Sequence, residues 1–95
     1  MTKGPVLTTD AIVFGINTMI ENGLPGITYK LVGHKQLELI NDGMEIGICM
    51  RNYYGDYTYA KIINKSCLLD EIGLRSEIEK VTMFGNMTLR EEEVA

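Results

Sequence analysis

Tryptophan is absent from the 95 residues, histidine occurs once, and cysteine and proline occur twice each. Two cysteines, Cys49 and Cys67, are too few for the disulfide framework of small secreted domains, which use four or more. They also leave a zinc site without ligands, since there is neither a C-x-x-C nor an H-x-x-x-H spacing. The acids Asp70-Glu71 and Glu91–Glu93 lack calcium-loop spacing. The ten glycines form neither a phosphate loop with its lysine nor G-x-G-x-x-G. No cofactor is implied.

The single histidine, His34, falls in a predicted tight turn. Nucleophilic catalysis wants a histidine beside a nucleophile and an orienting acid, and Cys49 lies two predicted strands away. The expectation is a protein that is not an enzyme. No apolar run approaches the ~18–20 residues of a membrane helix, so no membrane partner is expected. Asp10 and Gly15 interrupt the apolar stretch near the N-terminus, and no signal cleavage site follows. A reducing, cytoplasmic setting with free thiols is therefore expected.

Positive charge is in short supply too. Thirteen acids face nine bases, for a net charge of −4. Residues 1–65 balance, with six of each sign, and the whole excess lies in residues 66–95. Binding to a phosphate backbone draws on cations that displace counterions, so this balance argues against direct nucleic-acid binding.

What is present suits one globular domain over residues 1–95: 45% hydrophobic and 23% charged residues are close to the globular average. Residues 1–7 read as a loose lead with Gly4-Pro5 as a breaker, and 91–95 as an acidic tail. Ile12, Ile16, Met19 and Ile20 form one helical stripe, capped by Thr8 or Thr9 and stopped by Asn22-Gly23. A helix over 9–22 follows.

From residue 27 the hydrophobic period changes to two. Ile27, Tyr29 and Leu31, then Leu37 and Leu39, then Met44, Ile46, Ile48 and Met50, then Tyr57, Tyr59 and Ile63 alternate with polar residues. They read as four strands of an antiparallel meander, about 27–63. Turns at 33–35, 42–43 and 55–56 set Leu31 opposite Leu37, Leu39 opposite Ile46 and Ile48 opposite Ile63. The large apolar residues then share one face, which the helix covers. Ser66 and Gly73 bracket a short helix near 67–73, and Val81–Phe84, Gly85-Asn86 and Met87–Leu89 read as a hairpin at 80–90. The fold class is α+β.

The segment Tyr53-Tyr54-Gly55-Asp56-Tyr57-Thr58-Tyr59 holds four of the five tyrosines at one hairpin end. Tyrosine offers a large contact area at low entropy cost and a hydroxyl for polar partners, and facing aromatics also stabilise a hairpin. The candidate binding residues are Tyr53, Tyr54, Asp56, Tyr57, Tyr59, Arg51 and Tyr29. The expected function is a non-enzymatic protein-interaction module: an adaptor, regulator or small inhibitor of another protein. It would use the tyrosine-rich hairpin and the acidic C-terminal third. The alternative is a small-ligand or nucleotide binder with a pocket between helix 9–22 and the sheet, rimmed by Tyr29, Arg51, Tyr54 and Tyr57. Met83, Phe84, Met87 and Leu89 suggest a homodimer through the C-terminal hairpin, because an apolar edge strand is a liability unless paired.

Overall fold

The computed structural model describes residues 3–66, 70–84 and 90–92. Helix α1 spans Thr9–Glu21, and Thr8 is its N-cap: the Thr8 hydroxyl accepts from the Ala11 N–H at 3.1 Å. At the other end the Leu24 N–H bonds the Met19 carbonyl and the Gly23 N–H bonds the Ile20 carbonyl. Gly23 sits at φ 63°, the left-handed stop in which a Cβ is costly. The stripe read from the sequence is the face that packs inward, with Ile12, Ile16 and Met19 buried.

Four strands follow as an antiparallel meander: β2 (Gly26–Leu31), β3 (Lys35–Asp42), β4 (Glu45–Arg51) and β5 (Tyr57–Asn64). Each expected register is offset by two residues. Leu31 faces Lys35, Leu39 faces Ile48, and Ile46 faces Ile63. An even offset leaves every side chain on its expected face, so the apolar face survives intact: Leu31, Leu37, Leu39, Ile46, Ile48, Met50 and Ile63 are all buried. The turns account for the offset. Gly43, at φ 60°, takes the first central place of the β3–β4 hairpin, where a type II′ turn wants glycine. Met44 thus moves into the turn and is 71% exposed rather than part of the apolar face. A bulge at Met50/Arg51 turns Tyr57 to the opposite face from Tyr59.

The chain ends depart further from expectation. Lys3–Val6 is a strand, β1, not a loose lead, and Arg90–Glu92 is a strand, β6, not tail. Strand β6 lies between β1 and β2 and is antiparallel to both, giving the sheet order β1-β6-β2-β3-β4-β5. Proline is tolerated on an edge strand, and the β1–β6 register shifts between Lys3 and Val6, around Gly4-Pro5.

Helix α2 spans Glu71–Phe84. It replaces the short helix near 67–73, of which 67–69 lie outside the described residues, and the first strand of the hairpin at 80–90, of which 85–89 also lie outside. Asp70, not Ser66, caps it: its carboxylate accepts from the Gly73 N–H at 3.1 Å. Gly73 sits in the first turn and stops nothing, and Leu74 and Ile78 carry the helical period into the core. A homodimer through a C-terminal hairpin loses its footing, since residues 81–84 are helical. Both helices contribute to one cluster with the strands, and full burial of each such side chain contributes about 1.5–3 kcal/mol. The opposite face of the meander stays open.

Candidate functional site

One end of the sheet gathers the β2–β3 loop (32–34) and the β4–β5 loop (52–56). The second loop is held closed by Asn52. Its side-chain oxygen accepts from the Tyr54 and Asp56 N–H groups at 2.9 and 3.0 Å. Its own N–H donates to the Asp56 carbonyl, and its carbonyl accepts from Gly55. This is what an asparagine does in a turn, and that general preference was the only sequence signal for a residue whose bracing role the strand pattern did not reveal.

Arg51 supplies the second brace. Its Nε donates to Glu38 Oε1 at 2.8 Å, its Nη1 to the Gly55 carbonyl at 2.8 Å, and its Nη2 to the Tyr57 hydroxyl. Its guanidinium carbon also lies 3.9 Å from the centre of the Tyr57 ring, a cation–π contact. The hydrogen bond to Glu38 raises the Arg51 pKa above its ordinary value. A guanidinium with all three nitrogens engaged positions the loop; it is not an open seat for an anion.

The rings stand out from this frame. Tyr53, Tyr54 and Tyr57 are 65%, 82% and 54% exposed. Tyr53 meets His34 edge to face at 5.2 Å between ring centres and meets Tyr54 the same way at 5.3 Å. A chain of three rings, His34–Tyr53–Tyr54, therefore bridges the two loops. Both arrangements are the edge-to-face geometry that aromatic quadrupoles favour. His34 takes the left-handed conformation, φ 58°, uncommon outside glycine. Beside it a recess of about 310 Å³ is lined by Lys30, His34, Lys35 and Gln36.

Asp56 belongs to the loop, exposed and bonded through its backbone. Two expected site residues do not. Tyr29 lies on the covered face, half-buried against α1, close enough that a Cβ on Gly15 would collide with its hydroxyl. Burial, then the nearby Glu91, raises its pKa. Tyr59 also faces the helices, and burial followed by Glu77 raises its pKa. A pocket under α1 rimmed by Tyr29, Arg51, Tyr54 and Tyr57 is not assembled, because Arg51 and Tyr57 face away from α1. The acidic C-terminal third is separate from the tip as well: Glu71 pairs with Arg75, Glu77 with Lys80 and Lys61, and Arg75 with Asp10 of α1. Cys49 is half-buried on the open face, and burial, then Glu38, raises its pKa while Arg51 opposes. A raised pKa disfavours the reactive thiolate.

No family model, curated protein or solved structure matches this chain. Among the described residues, no group of three His, Cys, Asp or Glu side chains is placed to hold a metal ion. No described helix is long and apolar enough to cross a membrane.

Proposed function

We propose that this chain is a non-enzymatic protein-interaction module, an adaptor, regulator or small inhibitor, whose recognition surface is the loop end of the sheet. The observation that carries the reading is three tyrosine rings left in solvent: Tyr53 and Tyr54 on a loop closed by Asn52 and braced by Arg51, and Tyr57 at the start of β5 against that arginine. Ordering a loop before contact lowers the entropy lost on binding, and large rigid rings supply contact area. The recess beside His34 adds Lys30 to this end of the sheet, which favours a partner that presents a carboxylate.

The test is affinity capture with immobilised wild-type chain and with the Tyr53→Ala/Tyr54→Ala double variant, at low and high salt. The expected result is a specific protein retained by the wild type and reduced at least about tenfold by the double variant, with retention falling as salt rises. Equal retention by both chains, or none by the wild type, overturns the reading.

A further inference from the structure

Several cationic side chains are held by carboxylates: Arg51 by Glu38, Arg75 by Asp10 and Glu71, Lys61 and Lys80 by Glu77. Lys30 has no such partner among the described residues. It lines the recess of about 310 Å³ at the loop end of the sheet, together with His34, Lys35 and Gln36.

The unengaged groups in this recess are rich in donors. A lysine ammonium carries three N–H groups and accepts nothing, a glutamine amide adds two, and an imidazole adds one or two. Among the described residues, the side chains of Lys30, His34 and Gln36 make no hydrogen bond or ion pair. Lys35 has an interaction of its own and is not one of them. The edge-to-face contact with Tyr53, 5.2 Å between ring centres, steadies the His34 ring and leaves its nitrogens unbonded.

Three elements bring these donors together. Lys30 on β2 faces Gln36 on β3 directly, so both side chains lie on the same side of the sheet, the open one. His34 comes from the loop between them. Its backbone sits at φ 58°, where glycine fits without steric cost, so the turn itself does not call for an imidazole. Glu38, two residues along β3 from Gln36, is engaged with Arg51 at 2.8 Å and leaves the Lys30 charge uncompensated.

We infer that the recess is a seat for a phosphate group, with Lys30 supplying charge and with His34 and Gln36 supplying N–H donors from two further directions. A carboxylate is planar and is matched best by the coplanar fork of an arginine. The arginine at this end, Arg51, has all three nitrogens engaged. Lys30 alone meets a carboxylate as a point charge. A phosphate is tetrahedral, carries nearly two negative charges at neutral pH and presents three acceptor oxygens, one for each donor side chain. The recess leaves room for bridging waters, which take about 30 Å³ each. Phosphate esters and the free ion share this chemistry. The seat does not depend on whether the tyrosine tip recognises a protein.

NMR titration of the full chain with inorganic phosphate, at fixed pH and ionic strength, tests the inference. Saturable shifts are expected in residues 30–36, with half-saturation at roughly 1–10 mM. Lys30→Gln is expected to weaken binding at least about fivefold. His34→Gly, which suits the left-handed backbone, is expected to fold and to weaken binding as well. Lys65→Gln, past the far end of β5, is expected to bind like the wild type. Acetate is expected to bind at least about threefold more weakly than phosphate. O-Phosphoserine binding more tightly than the free ion assigns the seat to an ester, and the reverse order assigns it to the ion. Tyr54→Ala leaves the recess lining untouched and is expected to bind phosphate like the wild type, so the seat and the recognition reading fail separately. Shifts that grow without saturation, a folded Lys30→Gln chain that binds phosphate like the wild type, or acetate that binds as tightly as phosphate overturns the proposal.

Discussion

The two faces of the same four strands are built to different rules. On the covered face the centre is apolar and sealed: Leu37, Leu39, Ile46 and Ile48 are at most 1% exposed. On the open face one polar residue, Arg51, holds a loop and a tyrosine through its guanidinium, while Ile62 lies bare. The first face carries the folding energy. The second tolerates a wide range of side chains without endangering the fold, which is the freedom a recognition surface needs.

Truncation should separate the faces most sharply. Ile48→Ala is expected to cost about 2–5 kcal/mol, the usual loss for a sealed aliphatic side chain. Ile62→Ala, on the same sheet, should stay within ~0.5 kcal/mol. Denaturant unfolding of both variants checks the contrast, and a similar loss for the two would break it.

Close packing under α1 gives the next effect. Gly15→Ala places a Cβ against the Tyr29 hydroxyl and is expected to destabilise by about 1–3 kcal/mol, as overpacking does. Adding Tyr29→Phe removes the clashing oxygen and should recover part of that loss; a double-mutant cycle reads the coupling. On the open face Gly47→Ala meets Ile40 only at contact distance and should change the melting midpoint little.

Helix ends come third. Thr8→Ala and Asp70→Ala each remove a cap bond and are expected to cost roughly 1 kcal/mol by denaturant unfolding.

The smallest effect is in acid. The hydrogen bond from Lys80 lowers the Glu77 pKa, and Lys61 adds to this while burial opposes it. A carboxylate with a depressed folded pKa contributes stability above its ordinary value, and that contribution is lost as pH falls through the depressed value. Melting curves below about pH 4.5 should therefore fall less steeply for Glu77→Gln than for the wild type. Identical acid limbs would remove Glu77 from the account.

The same contrast explains what the sequence made legible. Alternation reveals which face a residue occupies, because a slip of one would expose the whole apolar set. It does not reveal the offset, because a slip of two keeps every face. All three hairpins show that outcome, with the offset decided by Gly43, by the 32–34 loop and by Asn52. The strands β1 and β6 were not legible: four and three residues carry almost no period, and their pairing joins distant parts of the chain. In α2 the hairpin-like run Val81–Phe84, Gly85-Asn86 and Met87–Leu89 suggests a strand, whereas the helical period of Leu74 and Ile78 continues to Phe84. At the tip, the hairpin-end position of Tyr53 and Tyr54 is legible from turn chemistry, whereas alternation sets Tyr57 with Tyr59 on the covered face. The bulge that separates Tyr57 from Tyr59, and the close fit of Tyr29 beneath α1, depend on packing that a linear pattern does not record.

Amide hydrogen exchange of the chain alone and with its captured partner tests the central claim most directly. Slower exchange is expected in residues 30–36 and 51–57, with the amides of α1 and α2 unchanged. Protection gained on the helices, with the loop end exchanging as before, would contradict the assignment of recognition to the tyrosine tip.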